Sequence, residues 1–390
     1  MLEDSKILIS ADSEIEFESE EKNETDCFAS EFKEDGYSIE KPFNPKDINI
    51  KSKAMSLDNI IKRLRENEID MAPDFQRAMN LWSNARQSRL IESMLIKLPL
   101  PAFYFDGTRE DRWLVVDGLQ RLSAIKNFVV DDKLRLEGLE FLDNIEGKKF
   151  SELPRTYRRM IEETEIMAYI INPGTPPEVK FNIFKRINTG GLVLEPQEIR
   201  HALNQGKPAK FISELANIAS FKEATFYKIP SLRMLDREFV TRFLAFYLFG
   251  PDGYKPDLDT FMTSAMGHVN NIEEDEMEKI KKDFDRSMKL AQKIFGNWAF
   301  RKVFSIEERR KPINKALFEV WGVVLAKLSP EDYLKAESRS EKIFNEFIKK
   351  MNEDQFFVAS ITSATGDRNR VNYRYKKTRE IIETVLTYDN

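Results

Sequence analysis

The sequence predicts an α+β protein, with a small mixed α/β domain followed by an all-helical C-terminal domain. Three observations carry this reading. Short apolar runs bounded by turn residues alternate with helical stripes between 46 and 172. After Asn172-Pro173-Gly174 the apolar patterns are helical, and the first 45 residues hold few periodic hydrophobics. The predicted organisation is an acidic disordered leader over 1–45, a compact mixed domain over 46–172 and a helical domain over 173–390.

Taken in order, the first ordered element is a helix over 57–66, with Ser56 as its N-cap. Ile69-Asp70-Met71 reads as a short strand. A helix then runs over 84–97, with Leu90, Ile91, Met94, Leu95 and Leu98 on one stripe, and Pro99 and Pro101 stop it. Ala102–Phe105 is a second short strand ending at Asp106-Gly107. Trp113-Leu114-Val115-Val116 is a continuous apolar run, the pattern of a strand covered on both faces. Asp117-Gly118 breaks it, and a helix follows over 119–130 with Leu119, Leu122, Ile125 and Phe128 aligned. A strand over 165–171 closes the domain. Beyond it, Val179/Ile183/Phe184/Ile187, Phe239/Phe243/Phe246/Tyr247 and Ile313/Leu317/Val320/Leu325 mark helices, with long polar helices at 273–295 and 331–351.

Composition narrows the function classes. Of 390 residues, 41% are hydrophobic and 33% charged, an ordinary globular balance. A single cysteine, Cys27, leaves no internal disulfide framework. No run approaches the ~18 apolar residues of a membrane helix, and the N-terminus lacks a secretory pattern. The expectation is a cytoplasmic protein that does not engage a membrane. Residues 1–40 carry fourteen acids against three lysines, which leaves 58 basic and 52 acidic residues for the rest. An acidic leader on a mildly basic body fits either a solubility tail or a segment competing with a polyanion.

The turn Asp117-Gly118-Leu119-Gln120-Arg121 is the sharpest chemical feature. A strand that ends in Asp-Gly and enters a helix presents unpaired amides to an anion. Gly118 permits unusual dihedrals and close approach of a phosphate. Arg121 is a candidate phosphate clamp. Asp117 is a candidate Mg²⁺ ligand, and Gln120 a candidate for orienting a water. From spacing alone, an ordinary solvated Asp-Gly turn stays open. The glycine patterns of a Walker loop or a dinucleotide fingerprint are missing.

Four ordered blocks add a resemblance. They are Pro73-Asp74-Phe75-Gln76-Arg77 with Leu81-Trp82, Leu90–Leu95 with Leu98-Pro99-Leu100-Pro101, Val115–Leu122, and Phe184–Gly191 with Leu194–Ile199. Together they resemble the N-terminal domain of GmrSD-type modification-dependent restriction endonucleases, a bacterial family with a ParB/sulfiredoxin-like fold. The likeness covers about 50–205, and weakens through Asp236–Val240. It implies a nucleotide-binding domain over 46–172 and a nucleoside triphosphate, ATP or GTP, taken with Mg²⁺ and in some members hydrolysed. It also implies service in anti-phage defence on DNA. By residue match, Asp117, Gln120 and Arg121 are the implied catalytic group. Gly118, Gln76, Arg77, Arg186, Asn188 and Thr189 are the implied nucleotide contacts. Leu119 stands where the family has a glutamine, which leaves one polar group fewer at the turn.

Longer relatives carry a His-Asn-His nuclease domain, which needs histidines. The two histidines here, His201 and His268, lie in separate helical contexts without paired Asp or Asn, so no such centre is expected in this chain. A separate nuclease subunit is then a candidate partner, and an oligomer is compatible with the sequence. For DNA, the segment 367–379 interleaves cations with tyrosines. Arg368, Arg370, Tyr373, Arg374 and Lys376 are the candidate contacts, and a solvated helix face is the competing reading. Arg155, Arg158 and Arg159 form a second basic cluster. Three functions follow: a nucleotide hydrolase of a DNA-directed defence system, a non-catalytic DNA-binding or regulatory subunit, and an adaptor for a separate nuclease.

Overall fold

A computed structural model describes residues 48–71, 82–109, 111–187 and 195–387. The acidic leader lies outside the described residues, as do Gln76, Arg77, Asn188 and Thr189.

Five strands form one mixed sheet in the order β1-β5-β3-β4-β2: β1 (Ile50–Ser56), β2 (Ile69–Asp70), β3 (Phe103–Asp106), β4 (Trp113–Asp117) and β5 (Glu165–Ile171). β5 runs antiparallel to β1 and parallel to β3, β3 antiparallel to β4, and β4 parallel to β2. With the helices around it, this is the α+β class that the alternating patterns predict. β1 has no counterpart in the sequence reading. Its Lys51, Ser52, Lys53 and Ala54 are exposed, so an edge strand of this kind shows no apolar alternation.

The main face of the sheet is covered by α1 (Leu57–Arg65), α2 (Asn84–Leu95), α3 (Leu119–Ile125) and α4 (Arg155–Glu162). α3 runs on into a π-helical turn, Lys126–Val130. Phe103, Phe105, Ile166 and Ala168 point into this core, where Ile60, Ile91, Leu122, Phe128 and Ile161 meet them. The second face is covered by α5 (Pro177–Ile187) and α6 (Pro196–Leu203). There Val116 and Ile171 pack with Val179, Phe181, Phe184 and Ile199. Lys180 of α5 reaches Asp106 at the end of β3 (3.3 Å) and donates to Thr108 Oγ1 (3.0 Å). β4 is therefore covered on both faces, as its unbroken apolar run requires.

The first compact unit spans Lys41–Leu203, and the second contains Asn204–Asn390. The sequence reading ends the first domain at 172, where the last strand ends. The unit extends to 203 because α5 and α6 supply the second layer of its sheet.

The second unit is helical: α7 (Lys207–Ala216), α8 (Ala219–Ala224), α9 (Leu235–Phe249), α10 (Leu258–His268), α11 (Glu274–Phe295), α12 (Lys315–Ala326), α13 (Pro330–Ser338), α14 (Ser340–Glu353), α15 (Gln355–Ser360) and α16 (Arg368–Thr387). α12 is buried along its length from Ala316 to Ala326 and forms the axis on which α9, α11 and α16 pack. Among the described residues no helix is long and apolar enough to cross a membrane.

Candidate functional site

The site is built where β4 ends. Antiparallel pairing with β3 runs Asp106↔Leu114 and Phe105↔Val115, then shifts so that Tyr104 pairs with Asp117. One β3 step is thus matched by two β4 steps, with Val116 as the extra residue. A bulge of this kind bends its strand and re-aims the following side chain. Here it sets Asp117 beside Tyr104, which packs on the second face of the sheet with Val116.

Gly118 follows at φ 101°, in the left-handed region, and caps α3. A side chain is excluded there twice over. The dihedral strains any L residue, and a Cβ would lie 2.6 Å from Cδ1 of Phe103. The helix then begins with its first-turn amides lacking intrahelical acceptors, and the first closing bond runs from Leu122 N–H to the Gly118 carbonyl.

Arg121, in the first turn of α3, points back across the turn. Its Nη2 donates to Asp117 Oδ2 (2.8 Å) and to the Ala102 carbonyl (3.1 Å), and its Nη1 donates to the Pro101 carbonyl. The guanidinium also lies over the Phe103 ring, 4.5 Å from the centroid. Burial lowers its pKa, while Asp117 and Tyr104 act in the opposite direction. The sequence reading makes Arg121 a candidate phosphate clamp. In the structure the arginine is engaged inward and latches the turn to the chain entering β3.

Gln120 is half-buried in the first turn of α3. Leu119, the departure from the resembled family, packs against the main core, so its hydrocarbon serves packing. Arg186 is exposed in the last turn of α5. His201 is buried on α6 in the first unit, and His268 ends α10 in the second.

The proposed DNA segment needs a larger correction. Arg374 is fully buried within α16, and it donates to Glu319 Oε1 (2.8 Å from Nη2) and to the Thr365 carbonyl (2.7 Å). It cannot reach a phosphate. Arg370 donates to the Ser363 carbonyl and to Ser363 Oγ (2.7 Å), and the Tyr373 hydroxyl donates to Asp354 Oδ2 (2.9 Å). Only Arg368 and Lys376 of the five stand exposed. The signal that separates them is helical spacing: Val371, Arg374, Tyr375, Thr378 and Ile382 fall on one buried stripe.

Sequence reasoning missed Tyr104 and Tyr169. Tyr104 of β3 pairs with Asp117 on one side and with Tyr169 of β5 on the other. The two phenol rings stack, with centroids 4.9 Å apart and planes at 13°. Burial, Tyr169 and Asp117 all push the Tyr104 pKa up, against the pull of Arg121. The signal was present in Phe103-Tyr104-Phe105. With both phenylalanines turned into the core, strand alternation puts Tyr104 on the other face.

No curated protein and no solved structure matches the chain. The part of the chain that holds this site does match a known family. Residues 57–204 are similar to the family described as the GmrSD restriction endonuclease, N-terminal domain.

Proposed function

We propose that this protein serves a restriction-like defence system acting on DNA, and that its first unit binds and hydrolyses a nucleoside triphosphate at the Asp117–Arg121 turn. One observation carries the reading: the bulge in β4 aims Asp117 beside the mouth of a helix that a left-handed glycine opens. Amides at that mouth favour phosphate oxygens. The Arg121 contact uses one Asp117 oxygen, and among the described residues none engages the other. A single free carboxylate oxygen suits Mg²⁺ shared with a triphosphate. Bound there, the ion would offset phosphate charge. Arg121 would hold the carboxylate in place, a positioning role.

A second reading has support from the same latch. Because Arg121 is engaged inward, the turn is better equipped to bind a nucleotide than to stabilise charge on a transferring phosphoryl group. A non-hydrolysing subunit that recruits a separate nuclease then follows. Phosphate release from ATP, GTP, CTP and UTP with Mg²⁺, with and without DNA, separates the two. Under the first reading release is measurable and Asp117→Ala abolishes it. In a parallel nucleotide titration, binding without release would favour the non-hydrolysing reading, and the absence of both binding and release would reject a nucleotide site at the turn.

A further inference from the structure

We infer that Tyr104 and Tyr169 form a stacking platform for the nucleobase of the triphosphate that the Asp117 turn takes. This rests on the nucleotide reading above and extends it from phosphate to base.

Asp117, Tyr104 and Tyr169 are register partners on three successive strands, β4, β3 and β5. They form a row across the sheet. Two strand spacings separate its ends, about 9–10 Å, comparable to the reach from a nucleotide's phosphates across the ribose to its base. A bulge was needed to bring Asp117 into the row, and bulges beside functional sites commonly re-aim a side chain in this way.

The two rings differ from the packing aromatics of the same strands. Phe103 and Phe105 are wholly buried in the main core, whereas Tyr104 and Tyr169 are half-buried and already stacked. α5 and α6 cover the second face over Val116 and Ile171. Two residues before Tyr169, on the same face, Met167 is 40% exposed, so the surface beyond the tyrosines is open. A stacked aromatic pair beside an open apolar surface presents a ring face that any nucleobase can meet. The Tyr104 hydroxyl, a phenol protonated at neutral pH, can donate to a base or ribose acceptor.

The test compares a triphosphate that has a base with one that has none. Calorimetric titrations of the full chain use ATP, GTP and inorganic tripolyphosphate, each with Mg²⁺. Stacking predicts that at least one nucleotide binds about tenfold or more tighter than tripolyphosphate. Tyr169→Leu should remove that excess and leave tripolyphosphate affinity unchanged, while Tyr169→Phe should retain it. Equal binding of nucleotides and tripolyphosphate by the unaltered protein would overturn the platform and leave the turn as a phosphate site. Equal weakening of all ligands by Tyr169→Leu would overturn it too, since the residue would then act through the fold. Binding of none of the three would reject the nucleotide reading itself.

Discussion

The Glu92 carboxylate on α2 is buried, yet it is satisfied by backbone. It accepts N–H groups from Glu140 (3.0 Å), Phe141 (2.7 Å) and Leu142 (2.9 Å). The Phe141 ring is 70% exposed, so the amides and not the ring hold this loop to the helix. Burial alone would push the carboxyl pKa up. The three backbone donors, helped by Arg89, outweigh it and hold the group below the usual glutamate range. A depressed carboxylate stabilises the fold fully above its unfolded pKa, and this stabilisation fades as pH falls through the folded value. Glu92→Gln should therefore destabilise the protein near neutral pH by about 1.5–3 kcal/mol, the usual range for hydrogen bonds to a charged group. The gap between variant and parent should narrow in acid. Denaturant titrations at neutral pH and below the glutamate range would check both parts, and a gap that does not narrow would assign the effect to packing. In the sequence Glu92 sits inside an apolar helical stretch, and nothing local marks what its carboxylate meets. Its partners are nearly fifty positions away, beyond the reach of helical periodicity.

At the scale of elements, the β4–α3 connection divides what sequence can show from what it cannot. The strand, the Asp-Gly break and the helix were all legible, because apolar run, turn dipeptide and helical stripe are local signals. The bulge was not, since it exists only in the pairing of β4 with β3. Neither was the direction of Arg121, which depends on where Pro101 and Ala102 pass. The same limit explains α16: alternating Arg and Tyr suggested a nucleic-acid surface until packing chose which stripe to bury. Burial of Arg374 then followed from a partner on another helix, Glu319. The latch has a consequence opposite to that of a free clamp. Arg121→Ala should lower thermal stability even without ligand, by about 1.5–3 kcal/mol, because two carbonyls and a carboxylate lose a charged donor. An outward phosphate clamp would leave the melting temperature of the free protein unchanged, so a melting curve decides between the two.

Across the whole molecule, each compact unit has its own core. That of the second unit is organised around a buried charge cluster. Arg242 Nε meets Glu319 Oε2 at 2.7 Å and Arg374 Nη2 meets Glu319 Oε1 at 2.8 Å, with all three side chains at 0–1% exposure. One carboxylate thus bridges two guanidinium groups, tying α9, α12 and α16 together. Removing one member of such a cluster leaves uncompensated charge in a dry core and typically destabilises by about 3–5 kcal/mol. Glu319→Gln keeps the shape and removes the charge, so its effect should be of that size. Separate cores further predict that unfolding need not be one transition. In calorimetry of the full chain two transitions are expected, with Glu319→Gln lowering only the one that belongs to 204–390. Glu92→Gln should lower only the other. If both substitutions instead shift a single common transition, the two units fold as one cooperative body, and a ligand bound at Asp117 would then stabilise the helical unit as well. If the transitions separate, nucleotide binding should raise only the transition that Glu92 controls.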